Sequence, residues 1–179
     1  MSNFETIRSR EEIPQEDTWA LEDLYVSDDA WEQALSALMA RKDEVAAYAG
    51  KLGESGETLC AFLHLVENMG SQMELLANYA TRKADQDTRN ATYQAMVGKL
   101  MGALTSVSAA FSFDTPEIMA IPEETLESFY KACPDLERYR RYLNNERRRK
   151  AHTLTAAEER LLASAGEMAN APDTVYSSF

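Results

Sequence analysis

ETLCAFLHLVENMGSQMELLANYATRKADQDTRNATYQAMVGKLMGALTSVSAAFSF, running from Glu57 to Phe113, is the stretch whose reading decides the fold. In its first half Leu59, Phe62, Val66, Met69, Met73, Leu76 and Ala80 are spaced alternately by three and four residues. Tyr93, Val97, Leu100, Leu104, Val107 and Phe111 repeat the rule in the second half. Apolar residues at that spacing share one side of a helix, and that side must be buried against a partner. The halves are separated by the polar run Lys83–Arg89, short enough to return the second helix antiparallel to the first. The pattern predicts a long antiparallel hairpin with arms at about 57–83 and 90–112.

Working outward, Ser27 before Asp28 and Asp29 is a helix-start signal, a hydroxyl cap followed by acids at the positive helix end. Trp31, Leu35, Leu38 and Val45 continue a seam, interrupted by Lys42, which predicts a helix over about 28–49. Gly50 and Gly53 supply the turn that follows, and Ser55 caps the first long arm. Upstream, Trp19, Leu21, Leu24 and Tyr25 fit a short docking segment. Gly98 and Gly102, four apart and continued by Ser106 and Ala109, predict a face where another backbone approaches closely.

Beyond Phe113 the expected helices are shorter. Thr115-Pro116-Glu117 and Ile121-Pro122-Glu123-Glu124 each place proline at a first helical position. Cys133-Pro134-Asp135 opens a helix with Leu136, Tyr139 and Leu143 as its seam, ending in Arg147–Lys150. Thr155–Glu158 is a capping box, and Asp173 or Thr174 reads as one more helix start near the end of the chain, which suggests a fragment of something longer. No segment alternates at period two, so the expected class is all-α. The expected organisation is an N-terminal docking arm (1–26), a long-helix bundle (27–113) and shorter helices (114–179).

Charge narrows the partners. The net charge is −12, of which residues 1–60, with fourteen acids and five bases, carry −9. An acidic surface argues against nucleic-acid or anionic-membrane binding. The charge-free run Leu100–Phe113 falls short of the ~20 residues needed to span a bilayer. The N-terminus lacks a basic segment before an apolar core, so no signal peptide is expected. Cys60 and Cys133 have no metal-type spacing and read as reduced thiols of a cytoplasmic protein.

The chemistry-bearing residues form no recognisable site. His64 and His152 lie outside any His-Glu-x-x-His, and neither has a glutamate three residues before it. His64-Leu65-Val66-Glu67-Asn68 would be an inverted zinc motif only if Asn68 were histidine. Gly-rich phosphate loops and Gly-x-Ser-x-Gly elbows are absent. The basic cluster Arg138, Arg140, Arg141, Arg147–Lys150 could hold an anion or RNA, but it fits a helix-dipole cap paired with the acidic surface better. The sequence therefore assigns no catalytic, cofactor-binding or metal residue.

Five separated strings carry a family resemblance. They are Ile13–Tyr25 (IPQEDTWALEDLY), Gly50–Ser55 (GKLGES), Asp85–Asn90 with Tyr93-Gln94, Tyr139–Leu143 (YRRYL) and His152–Glu159 (HTLTAAEE). In order and spacing they resemble the N-terminal region of oligoendopeptidase F, of the thimet-type zinc metallopeptidases. Val26 stands where that pattern has a proline. The resemblance implies a helical module forming a wall or lid of a channel in which the longer enzyme cleaves short peptides. It implies zinc in the full-length parent and none in this chain. The implied partners are oligopeptide substrates and a C-terminal catalytic domain, and uncovered apolar surface predicts self-association. The alternative reading, from another class, is a free-standing helical interaction module that binds a partner helix in an apolar groove.

Overall fold

A computed structural model describes residues 12–149, and among these the regular structure is entirely helical. The α-helices are α1 (Asp28–Ala40), α2 (Lys42–Ala46), α3 (Gly56–Gln86), α4 (Ala91–Ala110), α5 (Asp114–Ala120), α6 (Glu123–Ala132) and α7 (Arg140–Arg149). Two compact units part after Tyr139, so α7 belongs to the second. The expected helices at Thr155–Glu158 and Asp173, together with His152 and Lys150, lie outside the described residues.

The hairpin forms as the periodicity predicts. Ser55 Oγ accepts the Thr58 N–H at 3.1 Å and starts α3, and Asn90 Oδ1 accepts from Thr92 and Tyr93 N–H to start α4. Only Asp87–Asn90 connects them, because α3 continues through Gln86. The antiparallel sense shows at both ends. Lys83 Nζ sits 5.2 Å from the Tyr93 ring centroid, while Phe62 packs on Phe111 and Phe113 at 6.0 and 5.6 Å. Leu59, Phe62, Met69, Leu76 and Ala80 are buried on α3, as expected. On α4 the buried line is Met96, Leu100, Ala103 and Val107, while Tyr93, Val97 and Leu104 are half-buried. The seam is thus turned slightly from the one expected, because α4 meets α1 and α2 as well as α3.

The helix expected over 28–49 is broken. Arg41 (φ −80, ψ 0) leaves the α1 register, and its guanidinium binds Asn68 Oδ1 at 2.7 Å, Gln72 Oε1 at 3.3 Å and Glu44 Oε2 at 3.1 Å. Tied to α3 and to α2 at once, Arg41 re-aims the chain so that Val45 is fully buried. Lys42, which interrupts the seam, reaches Ser106 Oγ on α4 at 2.9 Å. The turn after α2 uses Gly50 at φ +79, a left-handed conformation that favours glycine. Glu117 holds that turn by accepting the N–H groups of Gly50 and Leu52.

Trp31 anchors α1. It is fully buried, and its indole Nε1 donates to the Leu76 carbonyl at 2.9 Å. Upstream, Leu21 is buried, Tyr25 meets Tyr79 edge-on at 5.5 Å, and the Arg82 guanidinium lies 4.9 Å over Trp19. The single helix expected from Cys133 to Lys150 is instead a 3-10 turn over Pro134–Tyr139 followed by α7.

Candidate functional site

Small size at one position lets two helices meet. A Cβ on Gly56 would stand 2.8 Å from the Phe129 carbonyl oxygen and 3.1 Å from its Cα, so the backbone of α6 rests on the first turn of α3. Successive turns of α3 on that side carry Cys60, His64 and Glu67, spaced by four and three from Gly56. Opposite them the chain proceeds in the same direction through Cys133, Arg138 and Tyr139.

The polar end of this seam is a four-residue clasp. Tyr139 OH donates to Glu67 Oε2 at 2.7 Å and lies 3.0 Å from His64 Nδ1, and Arg138 Nη2 donates to Glu67 Oε1 at 3.0 Å. The phenol has one proton and gives it to the carboxylate. His64 must therefore donate from Nδ1 to the phenolic oxygen. Its ring stands edge-on to Tyr139 at 5.5 Å. Loss of hydration, then the hydrogen bond and charge of Glu67, push the Tyr139 hydroxyl up to about 12. Both Glu67 oxygens are engaged and the phenol is held neutral, so the clasp offers no free base and serves to fix the 3-10 turn on α3. Arg138 thus pairs with Glu67, an acid of α3.

A second polar site is the open cleft of about 510 Å3 between the N-terminal ends of α1 and α4, lined by Asp28, Asp29, Glu32, Thr92, Met96 and Lys99. Two of its three carboxylates have partners: Asp28 takes the Tyr79 hydroxyl at 2.8 Å and Lys83 at 3.2 Å, and Glu32 takes Lys99. Burial works against the Lys83 ammonium, yet its hydrogen bond to Asp28 and the neighbouring tyrosines hold its pKa above the ordinary value. Among the described residues no group of three or more His, Cys, Asp or Glu could hold a metal ion. The described residues thus offer no donor set for the zinc that the resemblance implies for a longer enzyme.

The third feature is the outer face of α4. Between Asn90 and Phe113 the only charged residue is Lys99, and it leans onto Glu32. Ala95, Gly98, Met101, Gly102, Thr105 and Ala109 are exposed, Met101 by 57%. Among the described residues the close backbone approach expected at Gly98 and Gly102 does not occur, since none lies within 4 Å of a Cβ at either. The backbone contact falls at Gly56, a position for which spacing gave no signal. By length and composition the helical run Ala91–Ala120 is also sufficient to cross a membrane, although only 22% of its most apolar window is buried. Counting uninterrupted charge-free residues missed this, because Lys99 interrupts the count more than two turns into the helix.

The comparisons with known proteins agree with one another. The Oligopeptidase F family profile matches residues 117–179. Oligopeptidase PepF of Bacillus subtilis is 32% identical over 168 residues, covering 94% of this chain and 25% of that protein. The crystal structure of oligoendopeptidase-F from Enterococcus faecium superposes with a TM-score of 0.66 at 31% identity, over 81% of this chain and 29% of that one. A crystal structure from Chlamydophila abortus gives a TM-score of 0.75 at 26% identity, over 97% of this chain and 29% of that one. The chain thus spans between a quarter and a third of the length of these relatives. Over nearly its whole length it matches the N-terminal region of these longer oligoendopeptidase F proteins.

Proposed function

We propose that this chain is the N-terminal helical wall or lid of a cytoplasmic, oligoendopeptidase-like zinc enzyme that hydrolyses short peptides, and that it is catalytically silent alone. The observation that carries the reading is the asymmetry of coverage: nearly all of this chain matches, and only 25–29% of each relative named above. A channel wall suits these residues physically. A long, rigid hairpin can enclose a peptide and exclude water from chemistry performed by other polypeptide.

The partners in this reading are oligopeptide substrates and a catalytic domain, with no nucleic acid and no membrane. The outer face of α4 is the surface for the catalytic domain, because the greater part of the relatives' length is polypeptide that an uncharged helix face could contact. Insertion of α4 in a bilayer is disfavoured by its polar links: Lys42 to Ser106 and Lys99 to Glu32 would be stranded in hydrocarbon.

The test is a chimera in which these 179 residues replace the matching quarter of Bacillus subtilis PepF, assayed on a fluorogenic peptide. Turnover by the chimera, none by PepF lacking that quarter and none by the isolated chain with added zinc is the expected result. Chelator-sensitive turnover by the isolated chain, or full activity of the truncated PepF, overturns the reading.

A further inference from the structure

Cys60 and Cys133, seventy-three positions apart in sequence, lie on the same seam as the Gly56 contact. An added Cβ on Gly56 would be 3.1 Å from the Phe129 Cα. Adding one carbon–carbon bond of about 1.5 Å, the two α-carbons stand within about 4.6 Å of each other. Cys60 follows Gly56 by one helical turn. Cys133 follows Phe129 by one turn and donates its N–H to the Phe129 carbonyl at 2.8 Å. Both segments run the same way, since the next contact along is His64 with Tyr139. The two thiols therefore fall opposite each other between a backbone contact and a hydrogen-bonded clasp. Both thiols are free, and Cys133 is near enough to raise the ionisation of Cys60.

We propose that Cys60 and Cys133 form a reversible dithiol–disulfide pair that staples α6 and the following 3-10 turn to the first turns of α3. The oxidant is a low-molecular-weight disulfide, RSSR. Cys133, the half-buried member, meets it first. Its thiolate attacks one sulfur of RSSR, the S–S bond breaks, and the departing thiolate takes up a proton as RSH. The buried Cys60 then loses its proton and attacks the Cys133 sulfur of the mixed disulfide, releasing the second RSH. In sum, two protein thiols are oxidised by two electrons and one small disulfide is reduced to two thiols.

The order follows from exposure. Burial first, then the Cys133 thiol beside it, pushes the Cys60 thiol up to about 11, so it is the poorer first nucleophile. It attacks second because the mixed disulfide on Cys133 holds the target sulfur alongside it. The required separation, about 4.4–6.8 Å between α-carbons, is in keeping with so close a helix approach one turn earlier. The staple would close a long loop, and constraining the unfolded chain in that way raises stability.

The experiment uses the whole chain, reduced and then incubated with oxidised glutathione in native buffer and, separately, in concentrated urea. The expected result is loss of two hydrogens from the intact mass, no residual alkylation by iodoacetamide and a Cys60–Cys133 cross-linked peptide. The oxidised chain stays monomeric, melts higher than the reduced one and reverts with dithiothreitol. Closure in native buffer exceeds that in urea by well over about tenfold, because only the fold holds the thiols together. Cys60→Ala should stop at one glutathione adduct on Cys133. A stable glutathione adduct on the unsubstituted chain, an inter-chain disulfide, two thiols that remain alkylatable, or equal closure in urea would each overturn the proposal. The unsubstituted chain alone decides the outcome if Cys60→Ala fails to fold.

Discussion

Gly56 rests on the backbone of Phe129: a Cβ at residue 56 would lie 2.8 Å from the Phe129 carbonyl oxygen. Helix propensity normally favours Ala over Gly by about 1 kcal/mol in a helix interior, and the preference is weaker at a first helical position such as this one. Here the added methyl meets main chain, which cannot rotate away as a side-chain tip can. Gly56→Ala is therefore expected to destabilise the protein by about 1–3 kcal/mol. Urea denaturation should show a lower midpoint at unchanged slope. A midpoint equal to or above that of the parent chain would mean that α6 does not press on α3.

Gly102 is expected to behave in the opposite way. With none of the described residues within 4 Å of an added Cβ, Gly102→Ala should stabilise the isolated chain by up to about 1 kcal/mol through propensity alone. The bulkier Gly102→Leu should leave the melting temperature nearly unchanged. A large loss in either variant would show that this face is already covered, by a second copy or by some other part of the chain.

Trp31 should be the most sensitive position of α1. Its indole is fully buried and bonded to the Leu76 carbonyl at 2.9 Å. Trp31→Phe removes that hydrogen bond and part of the ring, for an expected loss of about 1–3 kcal/mol. Trp31→Ala should cost about 3–5 kcal/mol. Denaturation followed by circular dichroism checks both, and a loss under 0.5 kcal/mol (roughly the scatter of surface changes) for Trp31→Ala would contradict the packing described.

These positions also show what the sequence could convey. Spacing tells which residues share a helix face, so the hairpin and the starts of α1 and α3 at Ser27 and Ser55 were legible, with capping side chains where the pattern put them. Spacing does not tell what stands opposite. Gly98 and Gly102 have the better small-residue spacing, yet Gly56 bears the contact, because the choice depends on where α6 returns some seventy residues later. The break at Arg41 was hidden for the same reason: its cause is Asn68 and Gln72, on another helix. The pairing of Cys60 with Cys133 and the clasp of Glu67, His64, Arg138 and Tyr139 are likewise products of tertiary return, invisible to any local rule.

Glu117 is expected to control the turn after α2. Its carboxylate accepts N–H groups from both Gly50 and Leu52, and an amide in its place presents one oxygen and two donors. Glu117→Gln should therefore release at least one of these N–H groups and cost about 1 kcal/mol. Amide hydrogen exchange at Gly50 and Leu52 should accelerate while that of the α3 core stays slow. Unchanged protection at both amides would show that the turn holds its shape without the carboxylate.

The clasp predicts an alkaline transition with a definite sign. An unfolded tyrosine ionises near 10, whereas burial and the Glu67 carboxylate hold Tyr139 up to about 12. Below pH 10 both states keep the proton, and the contribution to stability is fully present. As pH rises from about 10 to 12 the unfolded chain releases its proton before the folded one does, so stability falls across that window. Burial raises Tyr25 and Tyr79 in the same direction, which widens the effect. Glu67→Gln removes the negative charge facing the phenol and should bring the Tyr139 ionisation down towards the ordinary value, leaving the part due to burial. A ring-carbon NMR titration of labelled tyrosine measures this directly, with Tyr139→Phe assigning the resonance. If Tyr139 ionised along with exposed tyrosines, or if Glu67→Gln left its titration where it was, the phenol could not be giving its proton to Glu67.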